Sequence, residues 1–248
     1  RILVTGAKGQ LGMEIRAQKE KVQESEFYFL DIEELDLTDR DEVQKTIVRI
    51  NPSLLINCAA YTAVDRAEED KDNAFAVNAG AVKNIIDATT VVPSMKFVHV
   101  STDFVFDGKA EKPYDENSDP NPQSIYGRSK WEGEKYALTY PLAMIIRTSW
   151  LYSAYGGNFV KTILRLAGER DEISVVNDQR GSPTWAADLA SAILSVCSQT
   201  LSGKKLFQPG IYHYSNEGSC SWYEYASEIK KIMGFDLRIN PVSTPEFP

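Results

Sequence analysis

The stretch ILVTGAKGQLG, residues 2–12, decides how the rest of the chain is read. A short β-branched run ends in glycine. Gly6, Gly9 and Gly12 then stand between that run and the helix-like segment GQLGMEIRAQKE. In a strand–turn–helix setting each glycine has a separate use. Gly6 allows a tight turn, Gly9 lets backbone come close to a pyrophosphate, and Gly12 lets the helix pack closely on the strand. The helix N-terminus then faces the anion. Taken alone, the same residues also fit an ordinary strand–helix connection, so the following segments have to decide.

Downstream, EFYFLD reads as a second strand, EVQKTIVRI as a helix and SLLINCAA as a third strand. AEEDKDNAFAVNAGAVKNIIDATT reads as one long helical stretch, and KFVHVSTD as a fourth strand. KWEGEKYALTY is helical, and LAMIIRTSW is a fifth strand. Strands that are apolar throughout, alternating with helices, predict a parallel sheet covered on both faces. Right-handed crossovers make it doubly wound, of Rossmann type. After Trp150 the rhythm changes. FVKTILRLAGER, AADLASAILSVCSQ and SWYEYASEIKKIMG read as helices, ISVVNDQRGSPT as a strand and loop, and GIYHYSN as a strand. The expected division is a dinucleotide-binding domain over 1–148, to which 184–216 returns. A smaller substrate-binding lobe takes 149–183 and 217–248. The closing STPEFP suggests no terminal element, and the opening Arg1 is not a natural start, so the chain is expected to lack residues at both ends.

Composition narrows the classes. Of 248 residues, 43% are hydrophobic and 25% charged, as in ordinary globular proteins. The net charge is −8 with no basic run, which argues against nucleic acid and anionic membrane as partners. No apolar run approaches the roughly 20 residues that span a bilayer. Cys58, Cys197 and Cys220 are odd in number and far apart, so a reducing, cytoplasmic setting is expected, without disulfides.

Several residues fall where such a sheet binds its ligand. Asp31 ends the second strand, where a carboxylate accepts hydrogen bonds from an adenosine ribose and repels a 2′-phosphate. Asp36 and Leu37 follow in a loop able to cover the adenine. Ala59 and Ala60 are small enough for a flat cofactor to lie on, with Tyr61 beside them. Asn78 is a polar residue in an otherwise apolar helix face, suited to hold a backbone or a water. Tyr126 and Lys130 are four apart and share a helix face. A nearby ammonium lowers a phenol's pKa and eases proton donation. Thr102 ends the fourth strand, where it shares a substrate oxygen with Tyr126, and Lys130 also reaches the cofactor ribose. Hydride transfer to a carbonyl, with Tyr126 as proton donor, is the chemistry this set predicts.

TGAKGQLG, STD and YGRSK together resemble the extended short-chain dehydrogenase/reductase superfamily. AAYTAVDRAEED, STDFVFDG, YGRSKWEGE, RTSWLY, NFVKTIL, VVNDQRGSPT and GIYHYSN narrow the resemblance to the dTDP-4-dehydrorhamnose reductase family, in unbroken order to about residue 230. That resemblance implies NAD(P)H-dependent reduction of the C4 ketone of dTDP-6-deoxy-L-lyxo-4-hexulose to dTDP-L-rhamnose. It places catalysis on Thr102, Tyr126 and Lys130. The cofactor loop falls on Gly6, Gly9, Gln10, Leu11 and Gly12. On the sugar-nucleotide side it puts Trp150 and Asn158, with Arg180 and Thr184 as further candidates. Some members bind a divalent metal through acidic residues at a dimer contact. Glu14 fits one such position, but Ala187 stands where a second carboxylate is expected, so no metal is expected here. Ile32 after Asp31 is not the basic residue that favours a 2′-phosphate. NADH is therefore expected to serve at least as well as NADPH, with Lys8 offsetting part of the bias. A homodimer, another nucleotide-sugar reductase or epimerase, and a non-catalytic NAD(P)-binding regulatory subunit all remain open at this stage.

Overall fold

The strand Ile2–Thr5 (β1) is buried at all four positions, which only a strand covered on both faces can be. The computed structural model describes residues 1–247 and builds outward from it. In chain order come α1 (Gln10–Ala17), β2 (Phe27–Leu30), α2 (Arg40–Ile50) and β3 (Leu54–Asn57). Then follow α3 (Val64–Ala67), α4 (Lys71–Phe75), α5 (Ala81–Ala88), β4 (Lys96–Thr102), α6 (Ile125–Leu138) and β5 (Ala143–Thr148). Beyond these lie β6 (Leu151–Tyr152), α7 (Phe159–Glu169), β7 (Glu172–Val176), β8 (Arg180–Gly181) and β9 (Thr184–Trp185). The last elements are α8 (Ala186–Leu201), β10 (Gly210–His213), β11 (Cys220–Ser221), α9 (Trp222–Met233) and β12 (Arg238–Val242).

Six strands form one sheet in the order β10-β5-β4-β3-β1-β2. Every pairing within it is parallel. The expected doubly wound α/β architecture is what the chain adopts. Side-chain alternation splits the core in two. Leu3, Leu55, Phe97 and Ile145 face α2, α5 and α6, where Val43, Ile47, Ile85 and Ala137 meet them. Ile2, Val4, Ile56, Val98 and Ile146 face the other way, onto Leu11 and Ile15 of α1 and Leu189 and Ile193 of α8. Strand order reverses between β1 and β3, and that switch point opens a crevice at the carboxyl edge of the sheet.

One expectation about elements needs correction. The segment from Ala67 to Thr90 is not one helix: α3 ends at Ala67, and a wide turn at Ala76–Gly80 separates α4 from α5. At that turn Asn78 is buried, its side chain bonded to neighbouring segments. A strand that the sequence reading did not name lies just before STPEFP. β12 pairs in parallel with β7 over five residues, from Arg238↔Glu172 to Val242↔Val176. Pro241 masked it, because proline donates no ladder hydrogen bond and is confined to strand edges; β12 is the edge of a two-stranded sheet.

A third apolar cluster, separate from the sheet, joins Ile163 of α7, Ile173 and Val175 of β7, Ala226 and Ile229 of α9, and Leu237. Helix α9 starts with a capping box: Ser221 Oγ accepts from Glu224 N at 3.0 Å, and Ser221 N donates to Glu224 Oε2 at 2.7 Å. It ends at Gly234, in left-handed conformation. No helix of the described residues is long and apolar enough to cross a membrane.

Candidate active site

A cavity of about 840 Å³ lies over the carboxyl ends of β1, β3, β4 and β5. One wall is the turn after β1. Gly6 has φ +68°, and a Cβ there would stand 2.5 Å from Ala59 N. At Gly12 a Cβ would collide with the Gly6 carbonyl oxygen and stand 2.7 Å from Ala7 Cα. The turn therefore closes only with glycine at both places, and it leaves the N-terminus of α1 aimed into the cavity. Gly9, Gln10 and Leu11 line it; Gly12 does not, since its part is packing.

Asp31, Asp36, Leu37, Ala59, Ala60 and Tyr61 also line the cavity. The Asp31 carboxylate already accepts from Lys8 N at 2.6 Å and Ile32 N at 2.9 Å, so its charge is fixed in place. Lys8 Nζ is turned away, onto Glu33 at 2.8 Å. Asn78 does not reach the cavity. Its Oδ1 accepts from Tyr61 N at 2.8 Å, while its Nδ2 donates to Tyr61 O at 3.0 Å and to Ser129 Oγ at 2.9 Å. It braces the backbone of a lining residue against α6 and is not itself positioned to touch a cofactor.

Thr102, Tyr126 and Lys130 all face the same cavity. Thr102 Oγ1 donates to Asp103 Oδ1 at 3.1 Å and accepts from Phe104 N at 3.2 Å. Lys130, 2% exposed, donates from Nζ to Val100 O at 2.7 Å. The expected electrostatics of the pair are reversed. Burial pushes the Tyr126 phenol up to about 12, against a weaker downward pull from its Thr102 hydrogen bond. Burial also pushes Lys130 down to about 8, opposed by the Glu134 carboxylate. The ammonium is committed to the end of β4, so desolvation outweighs any help it gives the phenol. Asp103 is pushed up by burial to about 6.

The sugar-side expectations divide. Trp150 lines the cavity in a left-handed conformation, φ 45°. Its ring stacks on Trp222, centroids 3.5 Å apart and planes 10° apart. Asn158 caps α7 and donates to Gln10 Oε1 at 3.0 Å, so it ties the loop after β6 to the glycine turn without lining the cavity. Arg180 and Thr184 are not brought to the site. Arg180 pairs with Glu224 at 3.3 Å on the surface, and Thr184, the first residue of β9, is fully buried. The Glu14 carboxylate is buried and accepts from Ser153 Oγ at 2.6 Å. It anchors the loop that carries Gly156 and Gly157 to the cavity rim.

Sequence reasoning missed Cys58, Ser101, Thr148, Ser149 and Trp222. The first four follow or end strands β3, β4 and β5, so the sheet's carboxyl edge was their available signal. Trp222 arrives from the distant α9 and left none. Beneath the floor, Thr5 Oγ1 bonds Asn57 Oδ1 at 2.8 Å and Asn57 Nδ2 meets His99 Nδ1 at 3.2 Å, a buried polar row across β1, β3 and β4.

A parallel sheet with a glycine turn at its switch point, and a Tyr–Lys helix over the end of β4, defines a Rossmann-type protein of the short-chain reductase class. The chain belongs to the family described as the RmlD substrate binding domain, whose model matches residues 1–248. It is 40% identical to the spore coat polysaccharide biosynthesis protein SpsK of Bacillus subtilis (strain 168), over 100% of this chain and 84% of that one. It is 39% identical to a dTDP-4-dehydrorhamnose reductase of Aggregatibacter actinomycetemcomitans, over 100% and 86%. The crystal structure of dTDP-4-dehydrorhamnose reductase from Bacillus anthracis str. Ames in complex with NADP superposes with a TM-score of 0.91 at 43% identity, covering 99% of this chain and 85% of that one.

Proposed function

We propose that the protein reduces the C4 ketone of dTDP-6-deoxy-L-lyxo-4-hexulose to the alcohol of dTDP-L-rhamnose. The observation that carries this reading is the convergence of Thr102, Tyr126 and Lys130 on the cavity that also holds the glycine turn. The residues fit a dinucleotide. The turn is a cradle that a Cβ at Gly6 or Gly12 would fill, and the buried hydroxyls Ser101 Oγ and Thr148 Oγ1 at the cavity have no partner among the described residues. A bound NADH or NADPH supplies the hydride that is added to C4. The side chains do the remainder. Gly6 and Gly9, with the α1 N-terminus, receive the pyrophosphate, and Asp31 faces the adenosine ribose. Thr102 Oγ1 turns its one proton from Asp103 Oδ1 to the C4 oxygen and holds that oxygen beside Tyr126. As the C4 oxygen gains charge, Tyr126 gives it the phenolic proton; at about 12 the phenol is still protonated at neutral pH and far more acidic than an alcohol. Lys130 then offsets the phenolate charge from the next turn of the same helix. Trp150 and Trp222 form an aromatic wall against which the sugar nucleotide lies.

On this reading 1–148 with 184–216 is the cofactor half, and 149–183 with 217–248 is the sugar half. The separate cluster of α7, β7, α9 and β12 supports that division. A cytoplasmic setting accords with three free thiols, and a homodimer is read out by light scattering. The deciding assay supplies dTDP-glucose with the upstream dehydratase and epimerase and follows NADH or NADPH oxidation. Oxidation is expected only with all components present. Its absence, with the coupling enzymes shown to be active, would refute the assignment.

A further inference from the structure

Glu134 and Arg147 form an ion pair with both side chains buried, 1% and 3% exposed. Arg147 Nη2 donates to Glu134 Oε2 at 2.7 Å, and Nε reaches Oε1 at 3.0 Å. Tyr126, Lys130 and Glu134 follow one another at four-residue spacing on α6, so they lie along one helix face. Arg147 sits on β5, in register with Ser101 of β4 and His213 of β10. Its guanidinium lies over the Phe106 ring, 5.0 Å from the centroid, and Nη1 is 3.5 Å from His213 Nε2. Glu116 in turn accepts from His213 N at 2.9 Å. The pair thus links the helix of Tyr126 and Lys130 to three strands and to the loop that follows Thr102.

A buried ion pair is a poor device for stability, because apolar side chains of similar volume hold two elements together at least as well. Its position suggests another use. Lys130 carries an ammonium into a nearly dry place, where its hydrogen bond is to a neutral carbonyl. We infer that Glu134, held by Arg147, is a positioning residue for the reaction: one turn along α6 from Lys130, the buried pair fixes the helix face that carries Tyr126 and Lys130 over the end of β4 and sets a carboxylate beside the lysine. The inference rests on the proposed role of Lys130.

The groups facing Lys130 come from every side. Tyr126 and Glu134 share its helix, Cys58 follows β3, His99 is on β4, and Asp103 lies beyond Tyr126. Burial keeps the Cys58 thiol protonated, up to about 12, and holds His99 neutral by driving its pKa well down. Asp103, at about 6, has finished titrating before Lys130 begins. Arg147 stands behind Glu134 and opposes the charge on Lys130. Removing either member of the pair therefore moves the Lys130 midpoint, in opposite directions.

The test follows the ¹³Cε resonance of Lys130 against pH in lysine-labelled protein, with Lys130→Arg to identify the signal. The pH profile of kcat/KM is measured beside it. Side chains one turn apart on a helix face lie about 5–6 Å apart at Cβ, and an opposite charge within about 4–6 Å shifts a titration by about 1–3 units. Glu134→Gln is expected to lower the Lys130 midpoint by about one unit or more, and the alkaline fall of kcat/KM to move down with it. Arg147→Met is expected to raise both. If either single variant fails to fold, Glu134→Leu/Arg147→Met in one chain removes both charges with volume kept. That variant is expected to fold and to show a lowered midpoint, because Glu134, one turn along the same helix, is the member of the pair whose charge acts more strongly on Lys130. An unchanged midpoint in Glu134→Gln, or in the double variant, would overturn the inference and leave the pair a packing feature. A midpoint that moves while kcat/KM does not follow keeps the charge coupling and removes Lys130 from the reaction.

Discussion

Tyr126 is a buried phenol whose acidity is set by desolvation, and its value rests on where it points. Tyr126→Phe keeps the packing of the ring, including its edge contact with Phe104 at 5.4 Å, and removes only the proton. Turnover should drop on the order of 10²–10⁴-fold, with cofactor affinity and unfolding midpoint unchanged; near-normal kcat would show that another group donates. Asp31 gives a second expectation at this scale. Its carboxylate is held at the cavity wall by two backbone N–H groups, and Lys8 is drawn off to Glu33. Unit charges 4 Å apart near a surface interact by roughly 4 kcal/mol at an effective dielectric of 20, and each 1.4 kcal/mol is about tenfold in affinity. NADH should be used at least as well as NADPH, and Asp31→Ser should raise the kcat/KM ratio for NADPH over NADH. A wild-type protein strongly favouring NADPH would show that this carboxylate does not govern the choice.

At the scale of the element, α1 is docked through an absent side chain. Gly12→Ala sets a methyl against the Gly6 carbonyl and Ala7, which are backbone and cannot swing aside. The helix must shift, and overpacking of this kind costs about 1–3 kcal/mol. Urea unfolding should show that loss, together with weaker cofactor binding, because the same shift moves the anion-binding N-terminus. A stable variant with unchanged cofactor Kd would mean the turn relaxes freely. Glu14, on the same helix, gives the metal expectation its structural footing. Its carboxylate is occupied by Ser153 and holds the loop at the cavity rim. Turnover in EDTA should equal turnover in magnesium, with no change in size by light scattering. Loss of activity on chelation, restored by magnesium, would contradict this.

For the molecule as a whole, Lys130 makes stability depend on pH. Its folded pKa of about 8 lies below the ordinary 10.5. Between those values the unfolded chain holds a proton that the folded chain lacks, so stability rises with pH across that window. Below pH 8 the burial penalty is present in full. Lys130→Met removes the titration, and the difference in unfolding free energy between the variant and the native chain should shrink from pH 8 to pH 10. A difference that stays constant would place the lysine's pKa near its ordinary value. Cofactor affinity should weaken in the same variant. Much of this architecture was legible in the sequence. The β1 turn, the parallel sheet and the Tyr126–Lys130 face follow from periodicity and spacing, because each is fixed by neighbours within a few residues. The same locality explains why Asp31 and Ala59 to Tyr61 could be placed at the cavity: they end or follow strands, and strand ends in such a sheet share one edge. What tertiary structure alone decided depends on partners far away in the chain. Asn78 became a brace for Tyr61 and Ser129, Arg180 went to Glu224, and Trp222 came across to stack on Trp150. The charge state of Lys130 belongs to the same class. It is set by burial under the sheet edge and by Glu134, and how deeply a side chain is buried is a property of the packed whole.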